Sequence, residues 1–187
     1  MKNAEKAIFL DKDGTLIPDV PYNVNPELIT LSDQAVTGLK RLVEKGFRLI
    51  LISNQSGIAH SYFHEHALVF VERKINALLQ AEGLSLNAFY YCPHHPAGVV
   101  EVYKKKCDCR KPAPGLILKA AKDHAIDLSR SWMIGDILND VEAGNRAGCK
   151  TVLINNGNET EWRMNDLRTP DCMVADINHA ADYILAL

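Results

Sequence analysis

Two aspartates separated by one residue follow an apolar run near the start of the chain. Asp11 and Asp13 come directly after residues 7–10, and Gly14 follows them. Two carboxylates this close repel each other unless a cation lies nearby, and Mg²⁺ prefers oxygen ligands and commonly bridges carboxylate and phosphate. A carboxylate can also attack a phosphoryl group while a second one transfers protons. Taken alone, the pair is equally consistent with a strand that ends in an Asp-Gly turn.

Further groups suited to phosphoryl transfer occur at three later places in the chain. A hydroxyl and an amide can donate to phosphoryl oxygens, and a lysine supplies a fixed positive charge. An arginine can bind an oxyanion through two parallel N–H groups, and further carboxylates can hold a cation. The residues are Ser53, Asn54, Arg110, Lys111, Asp136 and Asp140. Together with the aspartate pair, they favour a phosphoryl-transfer site over isolated turns and caps.

Cysteines and histidines form two short clusters in the middle of the chain. Cys92 and His94 are two residues apart, as are Cys107 and Cys109. Three thiolates and one imidazole suit tetrahedral Zn²⁺, and four protein ligands leave no open position, which is typical of a structural site. His95 is an alternative imidazole that the spacing does not exclude.

Short apolar segments alternate with segments of helical periodicity. Strands are predicted at residues 7–10, 47–52, 88–91, 131–134, 151–154 and 172–174. Helices are predicted from an N-cap at Asp33 to Gly46, over 65–81, from Pro114 in a first turn, over 138–147, and through 180–185, with 155–170 as an irregular surface excursion. This alternation indicates an α/β fold with a parallel sheet covered on both faces. Ligands bind at the carboxyl ends of such strands, so the polar groups above are expected to meet at one edge.

The composition indicates an ordinary globular protein. The chain has 187 residues, 47% of them hydrophobic, and a formal net charge of -2. This charge lacks the strongly basic character of nucleic-acid binders, and no apolar run approaches the ~20 residues that span a bilayer. The charged N-terminal segment lacks the apolar core of a signal peptide. We therefore expect a single domain over residues 1–187, a cytoplasmic monomer, and no nucleic-acid or membrane partner.

The strings IFLDKDGT, SNQSG, RKP and IGDILND, in this order, resemble the motifs of the haloacid dehalogenase superfamily of phosphatases. The resemblance implies a doubly wound, Rossmann-like core and catalytic Mg²⁺. It implies that Asp11 is the nucleophile and a Mg²⁺ ligand, and that Asp13 is the general acid/base and binds Mg²⁺ through its backbone carbonyl. It also implies that Ser53 and Lys111 stabilise the phosphoryl group and that Asp136 completes the metal site.

The strings YYCPHHPAG and CDCRKP closely resemble the D-glycero-D-manno-heptose 1,7-bisphosphate 7-phosphatases. Those enzymes lack a cap domain and act in nucleotide-heptose synthesis, on the route to bacterial lipopolysaccharide. The resemblance implies hydrolysis of the 7-phosphate of a sugar bisphosphate through an aspartyl-phosphate. It implies structural Zn²⁺ on Cys92, His94, Cys107 and Cys109, within a loop over residues 92–109. The implied substrate contacts are Asp19, Tyr22, Ser53, Asn54, Gln55, Ser56, Arg110 and Lys111.

Histidinol-phosphate phosphatases share the same catalytic and zinc residues, but their loop before the CDCRKP-type segment is usually shorter than residues 95–106 here. They and other small sugar-phosphate phosphatases stay open as alternatives. The chain departs from the family pattern at three places. Ser53 replaces a frequent threonine, Ile137 replaces a common lysine, and His60 and Ser61 replace a basic residue and a glycine.

Overall fold

All the strands run parallel in the computed structural model, which describes residues 4–187. They are β1 (Lys6–Leu10), β2 (Phe47–Asn54), β3 (Ala88–Cys92), β4 (Trp132–Gly135), β5 (Lys150–Ile154) and β6 (Cys172–Val174). They form one sheet in the order β3-β2-β1-β4-β5-β6. Successive residues of β1 are buried on opposite faces, because Ile8 and Leu10 join one apolar cluster while Ala7 and Phe9 join the other. A strand buried on both faces is typical of a parallel sheet between two helical layers.

The helices cover both faces of the sheet. One face carries α1 (Ala35–Glu44), α2 (Ala67–Ala81) and α5 (Ile177–Leu185), and the other carries α3 (Gly115–His124) and α4 (Leu138–Ala147). The connections from β1 to β2 and from β2 to α3 hold only these elements and short 3-10 turns, so residues 4–187 contain no separate cap domain. No helix in this part of the chain is long and apolar enough to cross a membrane. The predicted doubly wound α/β fold without a cap is confirmed.

The strand order reverses between β1 and β4, which lie side by side at the centre of the sheet. Leu10 pairs with Ile134, and the amide of Asp11 donates to the carbonyl of Ile134 at 2.9 Å. Asp11 follows β1 and Asp136 follows β4. Both therefore lie at the point where the connections after these two strands leave towards opposite faces of the sheet. Such a switch point leaves a crevice at the carboxyl edge, where ligands bind in doubly wound sheets.

The predicted N-cap at Asp33 is wrong. Helix α1 begins at Ala35, and Gln34 occupies the N-cap position with a φ of 61° and no capping hydrogen bond from its side chain. The amide of Ala35 donates instead to the carbonyl of Ser32 at 3.2 Å. This turn immediately before the helix places Gln34 in the left-handed region and moves the start of the helix past Asp33.

Two other helices also start later than predicted. Helix α2 begins at Ala67 instead of residue 65, because a turn precedes it in which the amide of Ala67 donates to the carbonyl of His64 at 2.9 Å. Helix α3 begins at Gly115, so Pro114 lies at its N-cap and not in its first turn. These shifts are small and leave each apolar face in place.

Candidate active site

Lys111 and three aspartates form a buried cluster at the carboxyl ends of β1 and β4. The Lys111 ammonium is ion-paired with Asp11 and lies 2.6 Å from Asp140 Oδ1. It also donates to the carbonyl of Ile52 at 2.9 Å. Oxygens of Asp11, Asp136 and Asp140 all lie within 4.8 Å of one another. The sheet therefore brings one fixed cation and three carboxylates into one site.

The charge states of this cluster follow from burial and mutual repulsion. Burial raises the pKa of Asp136 to about 7, and the neighbouring carboxylates of Asp11 and Asp140 add to the rise. Burial also raises the pKa of Asp140 to about 6, against the opposing effect of Lys111. Burial alone would lower the pKa of Lys111, but the carboxylates of Asp11 and Asp140 raise it above its usual value. Lys111 is thus held charged, while the carboxylates carry an excess of negative charge that a cation would neutralise.

Asp13 lies outside this cluster and faces the cavity. Its Oδ1 accepts from Lys12 Nζ at 2.5 Å, and its Oδ2 accepts from Gln55 Nε2 at 3.1 Å. Burial raises the pKa of Asp13, with Lys12 acting in the opposite direction. A carboxyl group with a raised pKa holds a proton near neutral pH more readily than an ordinary aspartate, which suits a proton donor.

A cavity of about 410 Å³ opens over the cluster. Of the predicted substrate contacts, it is lined by Asp19, Tyr22, Asn54, Gln55, Ser56 and Lys111. Asp11, Asp13 and Asp136 also line it, together with Ile137 and Asn158. The structure therefore brings most of the predicted catalytic and substrate residues to one cavity.

Ser53 and Arg110 do not line this cavity. β2 runs two residues further than predicted because Ser53 stays in register with Tyr91 of β3, and Ser53 is buried. Its Oγ accepts a hydrogen bond from Gln55 Nε2 at 2.8 Å. Arg110 lines a neighbouring cavity of about 460 Å³ that shares Lys111 as a wall. Its guanidinium donates to the carbonyl of His94 at 3.4 Å.

Asn54 holds the backbone of Lys111 in place. Its Nδ2 donates to the Lys111 carbonyl at 3.1 Å, and its Oδ1 accepts from the Lys111 amide at 3.0 Å. The sequence predicted that the side-chain amide of Asn54 contacts phosphoryl oxygens. The structure shows this side chain hydrogen-bonded to the main chain of Lys111, which fixes the position from which the Lys111 ammonium reaches Asp11, and its contact with phosphoryl oxygens stays a prediction.

The carboxylate cluster fits a hard divalent cation. Oxygen ligands on separate loops with a surplus of negative charge are what Mg²⁺ sites offer. Lys111 and the amide of Ile137 contact the two oxygens of Asp140, and Asp140 does not line the cavity. Asp11 and Asp136 do line it, so they are the two carboxylates placed to hold a cation.

A second cluster fits a soft or borderline cation. The Sγ atoms of Cys92 and Cys107 are 3.5 Å apart, those of Cys107 and Cys109 are 3.2 Å apart, and His94 Nδ1 lies 3.3 Å from Cys109 Sγ. A tetrahedral site with Zn–S bonds of about 2.3 Å has edges of roughly 3.8 Å, close to these separations. The ring of the alternative ligand, His95, lies instead 4.6 Å from the ring of His60. The three thiols therefore lie together with the imidazole of His94 and not with that of His95.

This Cys/His loop leads directly into the active site. Cys109 belongs to the cluster, and Lys111, two residues later, reaches Asp11. The loop is also tied to the turn before α2, because Glu65 accepts hydrogen bonds from Tyr91 at 3.0 Å and from Tyr103 at 2.6 Å. A metal bound to the cluster would therefore fix the backbone segment that positions Lys111.

The segment after β5 contributes residues that the sequence did not single out. Residues 155–170 were predicted to be a surface excursion, but Asn158 Nδ2 donates to Asp136 Oδ2 at 2.7 Å, and Asn156 Nδ2 donates to the carbonyl of Gly14 at 2.7 Å. Thr15 Oγ1 donates to the other oxygen of Asp136 at 3.1 Å. Gly14 has a φ of 81°, and a Cβ there would overlap both Asp136 and Asn158. Glycine is therefore required at position 14 for two reasons: the positive φ of its backbone, and the close approach of the Asp136 and Asn158 side chains.

Replacing Asn158 with Ala is expected to weaken Mg²⁺ binding by about tenfold, because groups that orient metal ligands typically contribute 10–100-fold to affinity. Asn158 lowers the pKa of Asp136, so its loss also favours the protonated acid, which binds a cation poorly. Titration calorimetry of Mg²⁺ measures the change. Asn155→Ala is the matched control, since Asn155 is exposed in the same segment and is not among the residues that line the cavity. Equal Mg²⁺ affinity in the two variants would contradict this role.

The comparisons with known proteins agree with this geometry. A profile of the HAD-hydrolase-like family matches residues 108–180. The D-glycero-beta-D-manno-heptose-1,7-bisphosphate 7-phosphatase of Haemophilus ducreyi is 43% identical over 182 residues, which are 97% of this chain and 93% of that protein. The enzyme of the same name from Pasteurella multocida is 42% identical over 154 residues, covering 82% of this chain and 83% of that protein.

A solved structure extends the likeness to the whole fold. The crystal structure of D,D-heptose 1,7-bisphosphate phosphatase from B. bronchiseptica, complexed with magnesium and phosphate, superposes with a TM-score of 0.78 at 27% identity. The match covers 97% of this chain and 98% of that one. The chain therefore belongs to the HAD-like hydrolases and, within them, to the family of the D-glycero-beta-D-manno-heptose-1,7-bisphosphate 7-phosphatases.

Proposed function

We propose that this protein is a phosphatase that removes the 7-phosphate of D-glycero-D-manno-heptose 1,7-bisphosphate, in the supply of nucleotide-heptose for lipopolysaccharide. The observation that carries the chemistry is the buried ion pair of Asp11 and Lys111 at the switch point, with Asp13 facing the same cavity. The choice of substrate rests on the family. The catalytic and Cys/His clusters share one sheet, which supports a single catalytic domain spanning residues 1–187.

In the first step, Asp11 attacks the phosphorus of the 7-phosphate. Lys111 holds Asp11 Oδ1, which leaves Oδ2 to form the new bond. The bond between phosphorus and the C7 oxygen breaks, and Asp13 gives its proton to that oxygen, so that the sugar leaves as an alcohol. The fixed charge of Lys111 stabilises the negative charge that spreads over the phosphoryl oxygens.

In the second step, Asp13, now a carboxylate, accepts a proton from a water molecule. The resulting hydroxide attacks the aspartyl-phosphate at phosphorus, the bond to Asp11 breaks, and inorganic phosphate leaves. Asp13 is thereby protonated again, and Asp11 regains its carboxylate. Gln55 donates to Asp13 throughout and keeps it directed at the cavity.

Mg²⁺ held by Asp11, Asp136 and the carbonyl of Asp13 would supply a positive charge that neutralises the phosphoryl oxygens and the crowded carboxylates. Zn²⁺ on Cys92, His94, Cys107 and Cys109 would be structural, because four protein ligands fill a tetrahedral site. Burial and the neighbouring thiols raise the pKa of Cys92, and a cation would favour its deprotonated form.

The stability of the protein without Mg²⁺ is expected to fall as the pH rises from about 5 to 8. The folded pKa of Asp136, about 7, lies above its unfolded value of 3.8, so the folded state binds more protons in this range. Stability that is present at low pH is then lost as the pH rises through the folded pKa, by an amount on the order of a few kcal/mol. Added Mg²⁺ is expected to restore the loss, so the Mg²⁺-induced rise in Tm should be larger at pH 8 than at pH 5.

Differential scanning calorimetry of the protein without added Mg²⁺ and with saturating Mg²⁺, with no chelator in either buffer, measures both curves. Asp136→Asn is the matched variant, because it removes the titrating group and retains the shape of the side chain. It should flatten the pH dependence and reduce the effect of Mg²⁺. A Mg²⁺ effect that is the same at pH 5 and pH 8 would contradict the assignment.

A substrate panel tests the proposed function directly. Both anomers of the heptose 1,7-bisphosphate, histidinol phosphate and fructose 1,6-bisphosphate are compared by kcat/KM for phosphate release. The heptose bisphosphate is expected to exceed histidinol phosphate by at least about tenfold, because a substrate with two phosphates gains contacts that a monophosphate lacks. Fructose 1,6-bisphosphate also has two phosphates, so a lower kcat/KM for it would show that the sugar itself is recognised. Preference for histidinol phosphate would establish the alternative. Ile137 lines the cavity where the family commonly has lysine, so Ile137→Lys in the same panel measures how much this departure changes substrate choice.

A further inference from the structure

A cavity of about 450 Å³ lies at the amino edge of the sheet, at the opposite end of the strands from the active site. The first residues of four strands line it, namely Lys6 of β1, Phe47 of β2, Trp132 of β4 and Lys150 of β5. β1 has five residues at ~3.3 Å each, so roughly 16 Å of strand separate this basal cavity from Asp11. Its size falls within the ~300–1,000 Å³ range of small-molecule sites.

Among residues 4–187, four cationic side chains and no acidic side chain line the basal cavity, which the last residue, Leu187, also lines. The four cationic residues are Lys6, Lys45, Arg130 and Lys150. Within residues 4–187, none of the four forms an ion pair with a carboxylate. The whole chain has a formal net charge of -2, so this cluster is not the consequence of a basic protein. Four like charges around one cavity repel each other, and a bound anion would relieve that repulsion.

Two of these cations are held in place by aromatic rings. The Lys6 ammonium lies 4.0 Å from the centre of the Phe47 ring, and the Lys150 ammonium lies 5.2 Å from the centre of the Trp132 ring. Cation–π contacts restrict the long lysine side chains and reduce the entropy lost when they bind a ligand. Ile184 and Leu185 of α5 form an apolar wall, which strengthens charge interactions beside it.

We propose that the basal cavity binds a small phosphorylated compound with at least two negative charges, independently of the catalytic cavity. Phosphate groups match clustered lysine and arginine donors, which form charge-assisted hydrogen bonds with their oxygens. The site goes beyond the proposed function, because none of its residues lines the catalytic cavity. Binding there would occupy the end of the sheet where β1, β2, β4 and β5 begin.

The fluorescence of Trp132 tests this proposal with pyrophosphate as the probe. The chain has two tryptophans, and Trp162→Phe leaves Trp132 as the one emitter. Pyrophosphate is titrated at low ionic strength without added Mg²⁺ or chelator, which leaves the catalytic carboxylates without their cation, retains the Cys/His metal and limits charge screening. We expect a saturable change in Trp132 emission, and affinity about tenfold weaker when Lys45→Gln and Arg130→Gln remove two exposed charge contacts. Neither residue is among the cations that lie over an aromatic ring within residues 4–187, so the Lys150–Trp132 contact of the reporter is retained.

The matched control removes the same charge elsewhere. Arg73→Gln with Lys74→Gln lies on α2, away from the cavity, and should leave pyrophosphate affinity unchanged. Phosphatase activity and Tm of the Lys45/Arg130 variant should equal those of the parent, which shows that it is folded. The proposal is overturned if pyrophosphate produces no saturable change, or if both double variants weaken binding equally, since that outcome reflects net charge alone. It is also overturned if only Lys111→Met weakens binding, because the catalytic cavity would then be the site.

Discussion

Asp11→Asn is expected to lower phosphate release from the preferred substrate by at least about 10⁴-fold, because an amide cannot form the phosphoryl intermediate. The change preserves the shape of the side chain. It removes one of three mutually repelling carboxylates, and Lys111 keeps Asp140 and the carbonyl of Ile52 as partners. Tm is therefore expected to stay within a few degrees of the parent. Initial rates of phosphate release at saturating Mg²⁺, with calorimetry for Tm, measure both effects.

The matched control is Asp19→Asn, which removes a carboxylate at the exposed rim of the same cavity. It is expected to change KM more than kcat, since Asp19 lies away from the Lys111 cluster. Mass spectrometry of rapidly quenched samples should find a phosphorylated aspartate in the parent and none in Asp11→Asn. Undiminished turnover in Asp11→Asn would show that another group is the nucleophile.

Loss of the Cys/His metal site is expected to have the second-largest effect. Cys107→Ser with Cys109→Ser removes two ligands and should abolish binding of about one equivalent of zinc per chain, which elemental analysis measures. Structural zinc contributes several kcal/mol to folding, so we expect Tm to fall by on the order of 10 °C. We also expect kcat to fall by about 100-fold, because Lys111 lies two residues beyond Cys109 and a shift of ~1 Å can cost that much.

Cys172→Ser provides the matched control. Cys172 is a free cysteine in β6, outside the cluster, and receives the same chemical change. It should retain zinc, Tm and turnover. A double variant that loses zinc but keeps full Tm would rule out a structural role. One that keeps full kcat would show that the loop does not position Lys111.

Most of the residues that meet at the active-site cavity were predictable from the sequence. Asp11 and Asp13 follow an apolar strand, and this pattern alone identified an oxygen-rich turn at the end of β1. The Cys/His pairs also predicted a four-residue cluster that could hold a metal, because two pairs at close spacing restrict the possible ligands, and the structure brings these residues together. What the spacing left open was the imidazole, and the folded loop places His94, not His95, against Cys109.

The limits of helices were less predictable than their existence. The apolar periodicity predicted a helix where α1 lies, but the N-cap was misplaced at Asp33. Residues that favour caps also favour turns, and here the Ser32–Ala35 turn forms before the helix. Local residue preferences do not distinguish these two outcomes, because the choice depends on contacts made by the following helix.

The roles of Asn54 and Asn158 depended entirely on the tertiary structure. Asn54 is 57 residues from Lys111, and Asn158 is 22 residues from Asp136, so neither contact has a signature of local spacing. The polar segment after β5 has the composition of an ordinary loop. It reaches the active site only because β5 lies beside β4 in the sheet and therefore ends beside Asp136.

The sequence by itself determined the residue types, their order and the fold class, because buried strands, helical periodicity and motif spacing are local properties. The tertiary structure alone decided which strands are neighbours. The order β3-β2-β1-β4-β5-β6 places β1 beside β4, and this brings Asp11 against Asp136 across 125 residues of chain. That choice depends on how the helices pack on the two faces of the sheet, which is a property of the whole chain.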